Sequence, residues 1–334
     1  MARNTIRFEK TNNNWVNEKG EKMKPIKTLI LILICCLSVF FLSESAAGQD
    51  QLISDGKNIV ENYLQEKSIT LDPESVEYAQ FLNSILWGGV AELSKAGTDF
   101  VKDQYDLGAL EAYCIETVIH ILYDDYVPGP PDPPAESYVE PQSSSNDENQ
   151  IFSYSRSLAI QYAKDYYDNY NSSYPAFTSD CQNFVSQIVR RGGFGMTGDG
   201  DGCRSENTYS EWYMIPNPDP TIFCLGEGRF FEWSTAWTVV DHFKWYFTYN
   251  NSFAQNLGWT SSHSTAASML APGDVIQLQI LGSDGTWIGS HSVFVTKEDS
   301  TGLYVTSHTD DYLDKKLSDI PLSSSKRLLL IRFP

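Results

Sequence analysis

Basic side chains are scarce in this sequence of 334 residues, which has 24 lysines and arginines against 43 aspartates and glutamates and a formal net charge of -19. Non-specific binding of nucleic acid depends on Lys and Arg contacts to phosphate, so the charge excludes that kind of partner and disfavours anionic membranes. Cysteine is also scarce, with six residues, which excludes a fold held by a framework of disulfides. The hydrophobic content of 41% is nevertheless typical of a chain that folds around a core.

Long hydrophobic runs are lacking too. The most apolar stretch, Leu29 to Leu42, has 14 residues, whereas a membrane-spanning helix needs about 20. Basic residues precede this stretch and the small residues Ser45-Ala46-Ala47 follow it, which is typical of a secretory signal and its cleavage site. Residues 1–47 are therefore predicted to be a signal peptide, and the protein is expected to be secreted or associated with the cell wall. An uncleaved anchor is the alternative, and membrane contact is expected only through this segment.

The remaining chain divides into three parts. Residues 48–126 carry apolar side chains at helical spacing and predict three or four helices, with Cys114 and His120 as core residues. Residues 127–150 hold six prolines between Val127 and Gln142 and predict an extended linker. Residues 151–334 then form a second domain, with helices first and strands later, so the sequence predicts an α+β fold.

Within this second domain, one helix is expected from about residue 153 to 170. Another is expected to begin near Cys181 and to end at Gly192-Gly193, a pair suited to closing a helix. From residue 271 the alternation of apolar residues predicts four strands of a mainly antiparallel sheet, at Asp274 to Ile280, His291 to Lys297, Gly302 to Ser307 and Arg327 to Arg332.

Cys181 and His291 are the candidates for chemistry. A cysteine in the first turn of a helix lies at the positive end of the dipole, which favours the nucleophilic thiolate near neutral pH. Such a nucleophile needs a base, often a histidine that a third polar group orients. His291 begins a predicted strand, and its side chain is expected at the sheet edge, facing the helix start. The third group is expected at the end of the next strand, where His308 and Asp310 stand.

Four separated motifs occur in one order around these residues. They are Asp180-Cys181-x-Asn183-Phe184-Val185-Ser186-Gln187, then Ser234-x-x-Trp237-Thr238-Val239-Val240-Asp241-x-Phe243, then Gly273-Asp274-Val275-Ile276-Gln277, and last His291-Ser292-Val293-x-Val295-Thr296 with Val305-Thr306-x-His308-Thr309-Asp310-Asp311-Tyr312-Leu313. Over about residues 150–334 they resemble the putative bacterial amidase domain found beside the NlpC/P60 and CHAP families, relatives of papain-like cysteine hydrolases.

The resemblance implies a papain-like or NlpC/P60-like core, in which a helix-borne cysteine packs on a small antiparallel sheet. It implies Cys181 as nucleophile and His291 as base. The third residue has two candidates, because NlpC/P60 proteins often use a histidine on the next strand, here His308, whereas CHAP and papain relatives use Glu or Asn, for which Asp310 is the nearest equivalent. An antiparallel strand that turns at 298–301 places His308 directly opposite His291, so the register favours His308.

These features together predict an exported cysteine amidase or endopeptidase that hydrolyses amide bonds through an acyl-enzyme, with peptide or peptidoglycan-type substrates. The alternative is a non-catalytic module on the same fold that binds cell wall, carbohydrate or peptide. No cofactor is predicted. Cys203 and Cys224 can pair as a disulfide in an exported protein, and zinc is disfavoured because no CxxC or HxxxH accompanies them. The sequence carries no indication of an oligomeric state.

Overall fold

The computed structural model describes residues 9–11, 14–16, 48–123, 132, 154–198, 209–216 and 231–334. The apolar stretch of the predicted signal, nearly all of the predicted linker, and both Cys203 and Cys224 lie outside these ranges, so the signal, linker and disulfide stay predictions. No helix within the described ranges has both the length and the apolar character needed to cross a membrane.

Helices dominate the first part of the described chain. After a short antiparallel pair of strands, β1 (Glu9–Thr11) and β2 (Asn14–Val16), come α1 (residues 48–66), α2 (Val76–Leu86) and α3 (Gln104–Tyr123). Helix α2 starts at Val76 because the Ser75 hydroxyl caps it, accepting a hydrogen bond from the backbone N–H of Tyr78 at 3.1 Å.

The second part of the chain mixes helices and strands. Its first two helices are α4 (Arg156–Tyr166) and α5 (Cys181–Arg191). Helix α4 is shorter than the helix predicted at about residues 153–170. Helix α5 begins and ends where the sequence predicted. The short strands β3 (Met214–Pro216) and β4 (Phe231–Trp233) pair next, followed by α6 (Thr235–Thr238), α7 (Val240–Lys244), a π-helical segment (Trp245–Asn250) and, after one strand, α8 (His263–Met269).

A six-stranded antiparallel sheet forms the centre of the molecule. Its strands are β5 (Gln255–Thr260), β6 (Val275–Leu281), β7 (Trp287–Asp299), β8 (Gly302–Ser307), β9 (Tyr312–Lys316) and β10 (Lys326–Arg332), in the spatial order β5-β10-β6-β7-β8-β9. This confirms the α+β fold class. The sequence predicted four of the strands and missed β5 and β9, the two at the edges, where β9 is rich in charge and lacks a buried face.

Helices cover both faces of this sheet. Alternate side chains of a strand point to opposite faces, and Val293 and Val295 belong to a core shared with α1–α3, whereas Phe294 belongs to a core shared with α4, α5 and the π-helical segment. The helical region and the sheet thus bury one continuous core, whose members include Val60, Leu82, Leu110, Val118, Ile276, Leu278, Val293, Val305 and Leu330.

The register of β7 and β8 differs from the predicted one by one position. The structure pairs Phe294 with Thr306 and Val295 with Val305, whereas the predicted register would have paired Phe294 with Val305. Strand β8 also ends at Ser307, so His308 lies in the turn beyond the ladder and not opposite His291. The predicted register failed because the turn pairs Asp299 with Gly302 and a bulge between Val295 and Lys297 shifts the ladder, and the spacing of apolar residues encodes neither feature.

Candidate active site

Cys181 is the first residue of α5, as the sequence predicted. Its side chain is only 2% exposed. The thiol accepts a hydrogen bond from the backbone N–H of Ser292, so it lies against the peptide bond that follows His291. This contact is possible because the β7–β8 ladder extends no further than Phe294 and Thr306, which leaves the backbone of Ser292 open on the side of β8.

Polar side chains of α5 attach the helix start to the rest of the site. Ser292 Oγ donates a 2.6 Å hydrogen bond to Gln182 Oε1, and Trp237 Nε1 donates a 2.8 Å bond to Asn183 Oδ1. Ser186 Oγ in turn donates to the backbone oxygen of Trp237 at 2.8 Å. All of these groups are buried, and a satisfied buried hydrogen bond fixes geometry because breaking it leaves an unpaired polar atom. The position of Cys181 along the sheet is therefore well defined.

The thiol of Cys181 is protonated in the resting protein. Burial is the main cause that raises its pKa to about 11, and the neighbouring Asp180 carboxylate also raises it. Hydrogen bonds from the backbone N–H groups of Ser292 and Gln182 lower the pKa, but by less. The sequence predicted that the helix dipole would populate the thiolate near neutral pH. That prediction is wrong for the resting state, because desolvation outweighs the dipole at a side chain with almost no solvent contact.

His291 lies on β7 and is 3% exposed. Its Nε2 is 3.1 Å from Ser307 Oγ, and that hydroxyl is also 3.0 Å from the carbonyl oxygen of Ser292 and 2.9 Å from that of His308. A carbonyl oxygen can only accept a hydrogen bond, so Ser307 donates its single hydroxyl proton to one of the two carbonyls. Ser307 Oγ then has no proton left for His291, and His291 Nε2 must donate to it. Nδ1 is then the unprotonated nitrogen and the one able to act as a base.

The charge of His291 is set by burial and by two neighbours of opposite sign. Burial lowers its pKa to about 4, the Asp310 carboxylate raises it and the Lys315 ammonium lowers it. The imidazole is therefore neutral at pH 7. His291 has the same position in the strand alternation as Val293 and Val295 and so lies on their face of β7.

Asp310 lies in the tight turn between β8 and β9. The residues on both sides of it, Thr309 and Asp311, have positive φ angles of 87° and 32°. Residues other than glycine rarely adopt this region of backbone conformation. Asp310 therefore lies beyond the end of β8, which is at Ser307 as predicted. The turn brings its carboxylate into electrostatic contact with His291 and Lys315, which makes Asp310 the charged partner of the imidazole.

His308 has a different set of partners from those predicted. Its Nδ1 is 2.6 Å from Asp180 Oδ2, its Nε2 is 2.6 Å from the backbone oxygen of Tyr166, and its ring stacks on Phe184 with centroids 3.7 Å apart. Both ring nitrogens face acceptors, so both donate and the ring carries a positive charge. With both nitrogens occupied, His308 does not orient His291. It offsets the Asp180 charge beside Cys181.

The segment 153–331 matches the family model described as a putative amidase domain. The chain belongs to this amidase domain family. It is also 30% identical over 162 residues to the uncharacterized protein YhbB of Bacillus subtilis (strain 168), and the alignment covers 48% of this chain and 43% of that protein. The chain therefore spans less than half the length of this relative. No solved structure matches the chain.

All four predicted site residues lie inside the amidase domain, and the structure adds two that sequence reasoning missed. Ser307 contacts His291 directly, and the hydroxyl of Tyr312 bonds Ser307 and lies within electrostatic reach of Cys181. Burial raises the pKa of Tyr312, so its hydroxyl keeps its proton. Both residues stand within the last motif, Ser307 at the unspecified position before His308, so their place in the motif was the available signal.

A metal site needs several ligating side chains arranged around one point. Within the part of the amidase domain and the helical region that the structure describes, no group of three or more His, Cys, Asp or Glu side chains is arranged to hold a metal ion.

Replacing His308 with alanine is expected to lower the free energy of unfolding of the amidase domain by about 3 to 5 kcal/mol, the usual cost of leaving a buried charge unpaired. Asp180 is 0% and His308 1% exposed, so water cannot take over the lost bond. Urea denaturation followed by fluorescence measures the effect. In the double variant with Asp180→Asn the loss should be smaller than the sum of the two single losses. A loss below about 1 kcal/mol for His308→Ala would contradict a charged pair.

Proposed function

We propose that this protein is an exported cysteine amidase that hydrolyses amide bonds of peptide or peptidoglycan-type substrates through an acyl-enzyme. One observation carries the proposal: inside a segment that belongs to the amidase domain family, a cysteine at a helix start lies against the peptide bond that follows a buried histidine. This is also the arrangement expected of a papain-like core, in which a helix-borne cysteine meets an antiparallel sheet.

The chemistry begins from an uncharged pair. Cys181 Sγ attacks the carbonyl carbon of the substrate amide and forms a C–S bond, while its proton passes to His291 Nδ1. The oxyanion accepts hydrogen bonds from backbone N–H groups, of which that of Cys181, in the first turn of α5, has no partner within the helix. The C–N bond then breaks as His291 returns the proton to the leaving amine.

Deacylation uses the same groups. Water attacks the thioester carbon and gives a proton to His291, the C–S bond breaks, and the thiolate recovers that proton. In both steps His291 becomes a cation inside a buried site, and the Asp310 carboxylate, which raises the pKa of His291, stabilises that cation. Ser307 holds Nε2 so that Nδ1 stays the basic nitrogen.

Substrate must reach a thiol that is 2% exposed, so side chains around Cys181 move when an amide binds. Peptidoglycan peptides are the first substrates to test, because the predicted signal in residues 1–47 directs the protein outward. This choice rests on the export prediction and on the resemblance to cell-wall hydrolases, and the amide chemistry itself rests on the site.

Incubation of the protein with purified peptidoglycan and with synthetic stem peptides is expected to release new primary amines together with matching carboxylates, detected by amine labelling and mass spectrometry. Cys181→Ala should bind the insoluble wall as well as the wild type does and release no product. Binding without product by both proteins would favour the alternative, a binding module on the same fold. Equal product from both would exclude Cys181 as the nucleophile.

A further inference from the structure

The C-terminal end of α2 contacts the candidate active site from outside the segment that matches the amidase domain. Ser84 Oγ donates a 2.7 Å hydrogen bond to Asp310 Oδ1. Asn83 Nδ2 donates a 3.1 Å bond to the backbone oxygen of Ser290, the residue before His291. Trp87 Nε1 donates to Ser290 Oγ, also at 3.1 Å. One helix end therefore contacts the chain beside the predicted base and bonds its charged partner.

The second oxygen of Asp310 lies close to the backbone of Gly89. A Cβ on Gly89 would lie 2.6 Å from Asp310 Oδ2, a distance that real Cβ atoms do not show, so this approach requires glycine. The chain reverses toward Gly89 because its N–H donates to the carbonyl of Ser84 at 2.8 Å. The Asp310 carboxylate is thus enclosed between a hydroxyl donor and the backbone of the same short segment.

Asp310 needs such support from outside its own turn. It lies between two residues with positive φ, and strained turns persist where the surrounding structure fixes them. The other nearby charge, Lys315, donates its ammonium proton to the backbone oxygen of Trp87 at 3.3 Å, so it too is attached to the end of α2. The relative positions of Asp310, Lys315 and His291 therefore depend on this helix.

We propose that Ser84 is a positioning residue of the amidase site, whose hydroxyl holds the Asp310 carboxylate toward His291, and that the helical region 48–123 thereby completes the active site. The inference rests on the proposed function. It assigns a role in the reaction to a region that lies before residues 153–331, the segment matched by the family model. Ser84 and Asp310 are 226 residues apart in the chain.

The test uses Ser84→Ala in the full chain. We expect kcat to fall about tenfold with KM unchanged, because Ser84 acts through Asp310 and His291 loses that support only when it becomes a cation. Ser84→Thr keeps the hydroxyl and should restore most of the rate. Ser75→Ala is the matched control, since it removes the N-cap of the same helix without touching Asp310, and it should leave kcat within about twofold.

Two further measurements separate positioning from general destabilisation. In an Asp310→Asn background, Ser84→Ala should cause no additional loss, because the group it positions is already uncharged. An NMR titration of the His291 ring needs no substrate and should show its pKa lower in Ser84→Ala than in the wild type, because Asp310 raises that pKa. Ser75→Ala should leave the titration unchanged.

Each outcome decides one of the two proposals. An unchanged His291 titration in Ser84→Ala, or a rate loss that matches that of Ser75→Ala or persists in full beside Asp310→Asn, would overturn the role of Ser84. If the wild type shows no amide hydrolysis that depends on Cys181, the proposed function fails, and the NMR titration still decides whether Ser84 positions Asp310 toward His291.

Discussion

Amide turnover is expected to fall at least about a thousandfold when Cys181 is replaced by alanine, because the variant has no atom that can form the thioester. The fold should survive, since the substitution removes one sulfur from a helix that buried hydrogen bonds of Gln182, Asn183 and Ser186 keep in place. Initial rates on the best amide substrate, with circular dichroism as the check on folding, measure the effect.

Cys114 supplies the matched control for this variant. It is the other free cysteine within the described ranges, it is fully buried on α3, and burial raises the pKa of its thiol even further than that of Cys181. Cys114→Ala should therefore keep nearly full turnover. Turnover of Cys181→Ala within tenfold of the wild type, in a folded protein, would rule out Cys181 as the nucleophile.

Asp310→Asn is expected to lower turnover by about tenfold to a hundredfold and to move the acidic limb of the kcat/KM profile to lower pH. The Asp310 carboxylate raises the pKa of His291, so its loss makes the imidazole a weaker base that takes up a proton only in more acidic solution. Rates measured from pH 4 upward, on a substrate that does not titrate in that range, give both effects.

Lys315 provides the opposite control, because its ammonium lowers the pKa of His291. Lys315→Met should move the same limb to higher pH. A limb that stays in place in both variants would mean that the group titrating in the profile is not His291. His308→Asn should act mainly on stability, through Asp180, and a larger loss of turnover there than in Asp310→Asn, at equal folded fraction, would return the orienting role to His308.

Local sequence signals determined much of the architecture. Alternation of apolar residues acts within a single strand, and it predicted β8 at the bounds that the structure gives. The position of Cys181 at a helix start followed from the turn before it and the glycine pair after the helix, which are again local features. The order of the four motifs predicted the amidase domain, and the family match over residues 153–331 confirms it.

Tertiary structure alone decided the electrostatics and the partners. The protonation of Cys181 and His291 depends on burial by elements far away in the chain, and desolvation has no local sequence signature. The turn at Asp310 brings that carboxylate to His291, while His308, just before the turn, bonds Asp180. The contact of Ser84 with Asp310 joins residues 226 positions apart, because α1–α3 and the sheet bury a common core that no spacing within either segment encodes.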